Sequence, residues 1–282
     1  MTLGEWLDGA RDAITRARGE DYFSDAGWLL CGTVRLPYSA LSRFKDQPLT
    51  EKERNMLDRM LERRVSGEPM QYILGTEGFM GLPFQVDSRV LIPRADTETL
   101  CDFALNAVKG RTDLEVLDLC TGSGALAVAL AKRLPSARVC ASDLSEDALA
   151  VARENAARHG VKVEFLQGDL LEPVDGRTFD LIVCNPPYLT KEDMDAVSEE
   201  VRREPSMALY GGPDGLDFYR RLAKEAPGRL KPGGLLAMEI GEGQAGSVEA
   251  LFGGFLTGRV KDMSGIDRVV YGRRETDAEP RI

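Results

Sequence analysis

Phe179-Asp180-Leu181-Ile182-Val183-Cys184-Asn185-Pro186-Pro187-Tyr188 decides how this chain is read. Leu181 to Cys184 form an apolar run short enough to be a buried strand. Two prolines end it, since neither donates to a sheet ladder and each fixes its own φ. Asn185 is thereby held on a stiff loop, with two amide donors and one carbonyl acceptor, at the carboxyl end of a strand. An open α/β sheet binds its ligands at that end. The ring of Tyr188 follows, suited to packing against a flat group. A rigid polar pincer beside an aromatic plate suits a planar amide or amine, although Asn-Pro-Pro alone fits a proline-rich loop equally well.

The flanking sequence alternates. Upstream, a strand over 114–120 leads into the turn Thr121-Gly122-Ser123-Gly124 and a helix carrying Ala125, Leu126, Val128 and Leu130. A strand over 137–141 ends at Ser142-Asp143, a helix runs from 145 to 160, and a strand over 161–166 ends at Gln167-Gly168-Asp169. Downstream come a helix near 215–227, a strand over 235–240, a helix near 247–252, and a hairpin over 257–263 and 267–273. This order predicts a mostly parallel sheet with helices on both faces and the hairpin at its edge.

Residues before about 85 read as a small helical bundle. Trp6, Leu7, Ala10 and Ile14 share one helical stripe, and Trp28, Leu29 and Leu30 belong to another helix. Thr50-Glu51-Lys52-Glu53 is a capping box, behind which Leu57, Met60, Leu61 and Arg64 continue one face. From 71 to 94 the pattern of Phe79, Leu82, Phe84, Val86, Val90, Leu91 and Ile92 predicts a short antiparallel ribbon leading into Pro93. Asp96 is placed to N-cap a helix carrying Leu100, Phe103, Ala104 and Val108 and closed by Gly110. The organisation expected is a helical docking domain over 1–72, a ribbon and linker over 73–95, and the main domain over 96–282.

The totals exclude several functions. The net charge of −10 disfavours a site that neutralises phosphates, so no direct nucleic-acid binding is expected. No apolar run approaches the ~20 residues that span a bilayer, and the acidic start is no secretory signal, so a cytoplasmic protein is expected. The five cysteines form no C-x-x-C pair and read as small buried hydrophobes. With one histidine, His159, at a helix end before Gly160, neither a His-rich metal site nor a serine triad is expected, and no metal is assigned.

Gly122-x-Gly124-x-x-Ala127, after a strand and opening a helix, fits the dinucleotide fingerprint, and Asp143 sits where ribose hydroxyls are accepted. NAD and S-adenosylmethionine both satisfy this much. Asp118, just before the turn, would repel a pyrophosphate but favour a sulfonium and an α-ammonium. Asp169 could accept from an adenine amino group.

Over nearly its full length the chain resembles the HemK-type protein-(glutamine-N5) methyltransferases that modify peptide chain release factors. The resemblance rests on Ile92-Pro93-Arg94, Asp96-Thr97-Glu98, Asp118 with Gly122-Ser123-Gly124, and Asn185-Pro186-Pro187-Tyr188. It continues through Glu204-Pro205, Gly211-Gly212, Asp214-Gly215-Leu216 and Glu239-Ile240-Gly241. It implies a Rossmann-like class I fold with a seven-stranded sheet, S-adenosyl-L-methionine as cofactor, and release factors as partners of a monomeric enzyme. By the same resemblance, Asp118, Cys120, Thr121, Gly122, Ser123 and Gly124 surround the methionine part of the cofactor, Asp143 holds the ribose, Asp169 and Leu170 flank the adenine, and Asn185 borders the cofactor as well as the substrate. Asn185, Pro186, Pro187 and Tyr188 grip the substrate amide, with Arg94 and Glu98 beside them. Two positions depart from the family pattern: Cys120 replaces a glycine and Ala95 a proline.

An amide nitrogen is a weak nucleophile because its lone pair is delocalised. If Asn185 Oδ1 and the Pro186 carbonyl each accept one N–H, that lone pair is aimed and the developing positive charge stabilised. The rival readings are a methylase of a ribosomal-protein glutamine or of a nucleic-acid base, and a non-catalytic adenosine-cofactor-binding module, which has no need of an amide pincer.

Overall fold

In a computed structural model, which describes residues 1–275, the chain forms two units. One comprises Met1–Thr76 with Ser198–Arg203, and the other Glu77–Val197 with Glu204 onward. The division thus falls at Thr76, leaving the ribbon with the sheet; residues 276–282 of the 96–282 span lie outside the described residues.

The helical unit contains α1 (Leu3–Arg18), α2 (Asp25–Val34), α3 (Glu51–Val65) and α4 (Met70–Leu74). Thr50 and Glu53 cap α3 reciprocally, as their spacing requires. Trp6, Leu7, Ala10 and Ile14 are buried with Leu29, Leu30, Leu57 and Met60, whereas Trp28 is half exposed. Arg64, expected to continue an apolar face, is buried as an ion: its Nε donates to Asp25 at 2.5 Å and its Nη2 to Glu200 at 2.7 Å.

The sheet unit opens with the paired strands β1 (Thr76–Phe79) and β2 (Leu82–Gln85), shorter than the expected ribbon, and α5 (Ala95–Ala107). Arg94, not Asp96, is the N-cap of α5, so Asp96 falls in the first turn, 3.4 Å from Arg268. Next come β3 (Glu115–Leu119), α6 (Ala125–Arg133), β4 (Arg138–Asp143), α7 (Glu146–His159), β5 (Val163–Gln167) and β6 (Phe179–Cys184). The remainder is α8 (Lys191–Ala196), α9 (Asp217–Glu225), β7 (Leu230–Glu239), α10 (Ala245–Leu251), β8 (Gly258–Lys261) and β9 (Asp267–Arg273). The seven strands lie in the order β5-β4-β3-β6-β7-β9-β8, parallel through β7, with β9 antiparallel to both its neighbours.

Every residue of β6 is buried because both faces of the sheet are covered. Leu181 and Val183 enter the core beneath α5 and α6, while Ile182 and Cys184 enter the opposite core with Tyr219, Leu222 and Val248. The strand predicted over 235–240 starts earlier, at Leu230, because a register shift between Phe179 and Leu181 accommodates Pro232-Gly233-Gly234 within it. His159 ends α7 and bonds the Pro83 carbonyl at 2.8 Å, tying the ribbon to that helix.

Candidate active site

Strand order and register bring the motif residues together. The order in which strands are added reverses between the parallel neighbours β3 and β6, where a crevice opens at the carboxyl ends. Leu119 pairs with Cys184 and with Ser142, and Cys184 pairs with Met238. The glycine turn, Asp143, Asn185 and Glu239 therefore leave adjacent strands at one level.

The turn is shaped by backbone conformation. Cys120, Gly122 and Gly124 all have positive φ, of 57°, 55° and 79°. At Gly124 a Cβ would lie 2.9 Å from that of Ala152, so glycine allows α6 and α7 to meet there; at Gly122 a Cβ would touch nothing within 4 Å. Asp118 is wholly buried beneath the turn, its Oδ2 accepting from Thr121 Oγ1 at 2.6 Å and Ala127 N at 3.1 Å. Its Oδ1 is buried without a partner among the described residues, and burial pushes the carboxyl up to about 7. Asp143 braces the turn, accepting from Gly122 N at 2.8 Å and Ser145 N at 2.9 Å; burial raises its carboxyl too.

A cavity of about 550 Å³ lies over these strand ends. Cys120, Thr121, Gly122, Ser123, Asp143, Asp169, Leu170, Asn185 and Pro187 line it, with Phe79, Val90, Pro93, Arg94 and Thr97 opposite. A smaller cavity of about 60 Å³ shares Arg94 and Asn185 and adds Pro186, Tyr188 and Glu239. Asn185 Nδ2 donates to Thr97 Oγ1 at 3.0 Å, and Oδ1 has no partner among the described residues. Thr97 Oγ1 donates to Glu239 Oε2 at 2.7 Å. The Tyr188 hydroxyl lies 3.4 Å from Glu239 Oε1, and burial holds its phenol well above the ordinary value.

Residues 5–75 match the PrmC N-terminal domain, and residues 96–213 match the methyltransferase small domain. The chain is 44% identical to the release factor glutamine methyltransferase of Geobacter sulfurreducens over 96% of both chains. It is 39% identical to that of Koribacter versatilis over 98% of this chain and 100% of the other. The chain belongs to the release factor glutamine methyltransferase family. A solved methyltransferase from Pyrococcus furiosus shares the fold, with a TM-score of 0.53 at 18% identity over 78% of this chain and 98% of its own.

Within this family's motifs, the structure gathers most of the expected site residues but sorts them by depth. Asp118 and Gly124 do not line the cavity: the acid ties the turn from below and the glycine packs on Ala152. Glu98 lies off both of these cavities and accepts from Met80 N in the ribbon's turn. Arg94 lines both cavities while paired with Glu204, which also accepts from Ile92 N at 2.9 Å. Asp169 is at the cavity and pairs with Arg221 at 2.8 Å. Ala95 stands at the first helical position, where the family's proline is favoured but dispensable. Thr97 and Glu239 went unassigned in the sequence reading. The signal was present at Glu239, a carboxylate closing the otherwise apolar run Leu235-Leu236-Ala237-Met238.

Proposed function

We propose that the chain transfers a methyl group from S-adenosyl-L-methionine to the side-chain amide nitrogen of the glutamine in the Gly-Gly-Gln motif of peptide chain release factors. The observation that carries this reading is the free Oδ1 of Asn185, anchored through its other amide end and set one strand away from the glycine turn. The kinship with release factor glutamine methyltransferases over 96% of the chain favours it over a base methylase or a non-catalytic module.

The cavity fits the cofactor in three respects. Gly122 leaves open space where a Cβ would stand, Asp118 keeps an unpartnered acidic oxygen beneath the turn, and the mouth is walled mainly by apolar side chains. Gly122 and Ser123 would cradle the methionine part, with the negative field of Asp118 favouring its positive groups. Asp143 retains lone pairs beyond those taken by Gly122 and Ser145 and would accept from the ribose; Asp169 and Leu170 would flank the adenine. When bound, the cofactor supplies an electrophilic methyl carbon.

The protein's part is positioning. Asn185 Oδ1 and the Pro186 carbonyl accept the two N–H groups of the substrate amide, while Pro187 stiffens the loop and the Tyr188 ring packs beside it. Arg94, on the rim of both cavities, would hold the incoming peptide. Fixing a nucleophile this way can be worth about 7–11 kcal/mol, and no strong base is needed before transfer. The helical unit is assigned the docking of the release factor, and the enzyme is read as a cytoplasmic monomer; no helix among the described residues is long and apolar enough to cross a membrane.

The test is tritium transfer from labelled S-adenosyl-L-methionine to purified release factor. Label should enter the wild-type factor and not one carrying Gln→Ala in its Gly-Gly-Gln loop. Equal labelling of both would overturn the assignment.

A further inference from the structure

Glu239 ends an apolar strand and is 1% exposed. A carboxyl group there loses its hydration, and sheet packing alone gives no reason for it. Its two oxygens face Thr97 Oγ1, at 2.7 Å, and the Tyr188 hydroxyl, at 3.4 Å. Thr97, also buried, accepts in turn from Asn185 Nδ2 at 3.0 Å. These contacts form a chain of hydrogen bonds with a direction.

A hydroxyl carries a single proton. When Thr97 gives that proton to the Glu239 carboxylate, it can offer Asn185 only a lone pair. The Asn185 carboxamide must then turn its NH2 toward Thr97 and its Oδ1 toward the cavity. Rotating the carboxamide by half a turn is nearly isosteric, so packing cannot select between the two orientations; only a partner of defined polarity can. In the wrong orientation an NH2 would confront the NH2 of the substrate.

We propose that Glu239 and Thr97 are positioning residues that fix the polarity of the Asn185 carboxamide, so that its oxygen faces the substrate amide. The proposal rests on reading Asn185 as the amide acceptor. It adds a control the motif itself lacks, because a neutral Glu239 can donate to Thr97, free the Thr97 proton for Asn185 Oδ1, and reverse the chain.

Burial pushes Glu239 up to about 7. Asp96 on α5 contributes to that rise, while the hydrogen bonds from Thr97 and Tyr188 and the charge of Arg268 on β9 act against it. Cys184 at the end of β6 and Tyr219 on α9 also act on it, and Arg94 lines the same small cavity; the Tyr219 hydroxyl donates to the Glu239 backbone carbonyl at 2.8 Å. Turnover should therefore rise with pH through about 7 as the carboxylate forms.

The experiment measures kcat and KM for methyl transfer to purified release factor across this pH range, with cofactor affinity by calorimetry, on the full-length enzyme. Glu239→Gln can donate as well as accept and does not titrate. Its kcat should fall about tenfold, the rate equivalent of one neutral hydrogen bond, and its profile should lose the acid limb while cofactor affinity holds. Thr97→Val should fall similarly, Thr97→Ser should keep wild-type turnover, and adding Thr97→Val to Asn185→Ala should cost nothing more. Wild-type turnover in both Glu239→Gln and Thr97→Val, or a wild-type profile flat through about 7, would overturn the relay while an inactive Asn185→Ala leaves the site reading standing. Losses of cofactor affinity that match the losses in kcat would overturn it too. Normal turnover in Asn185→Ala would instead remove the reading on which it rests.

Discussion

Replacing Asp118 by asparagine should stabilise the cofactor-free protein at alkaline pH and weaken cofactor binding. Burial holds the Asp118 carboxyl at about 7 against an ordinary 3.8. Between those values the folded protein keeps a proton that the unfolded chain has released. The unfolded chain then binds fewer protons, so stability falls as pH rises through this window and levels off above about 7. The displacement from 3.8 to about 7 corresponds to about 4 kcal/mol. Asp118→Asn keeps an acceptor for Thr121 and Ala127 but puts an NH2 where Oδ1 now stands unpartnered, which costs about 1–3 kcal/mol. That cost is independent of pH and drops out when one difference is subtracted from another. Relative to wild type, the variant should thus gain up to about 4 kcal/mol between pH 4 and pH 8, read from urea unfolding at a series of pH values. Glu239, also raised to about 7, contributes the same sign in both proteins and cancels. Parallel pH profiles for the two proteins would refute the buried-charge account. Undiminished affinity for S-adenosyl-L-methionine in calorimetry would refute the claim that the charge is kept for the ligand.

Asn185→Ala should bind cofactor normally yet lose about 10² or more in transfer rate, the scale of one preorganised polar contact; single-turnover kinetics separate the two. Cys120→Gly relieves a left-handed residue with φ 57°, and the relief of about 1–2 kcal/mol should outweigh the ~0.5–1 kcal/mol of glycine entropy. Its melting temperature should hold or rise, and a clear fall would show that the thiol's packing dominates. Gly124→Ala incurs the left-handed penalty together with a 2.9 Å approach to Ala152, so it should destabilise by about 2–4 kcal/mol. Gly122→Ala meets no atom within 4 Å and should cost only about 1–2 kcal/mol, and equal melting temperatures for the two variants would contradict this.

How far the amino-acid pattern carried can be followed residue by residue. Leu181–Cys184 was legible as a strand because an unbroken short apolar run needs both faces covered, and its alternate side chains do enter two separate cores. The Asn185 loop and the glycine turn were legible because proline and glycine restrict or free the backbone locally. Cys120 was noticed as a departure from a family pattern, but its left-handed φ belongs to the folded turn. The family resemblance sets Glu98 beside the substrate, while its bond from Met80 N in the ribbon's turn is visible only in the fold. The burial of Arg64 was invisible because its partner Glu200 lies 136 residues away.

The order of residues along this chain was enough to specify its strands, its turn chemistry and the group that grips an amide, since each of these depends on neighbours a few positions apart. Which end of that group faces outward was left to the tertiary structure. Thr97 and Glu239 come from a helix and a strand 142 residues apart, and only the sheet's register sets them in line with Asn185. A carboxamide has two ends of nearly equal shape and opposite polarity, and local sequence has no means of choosing between them.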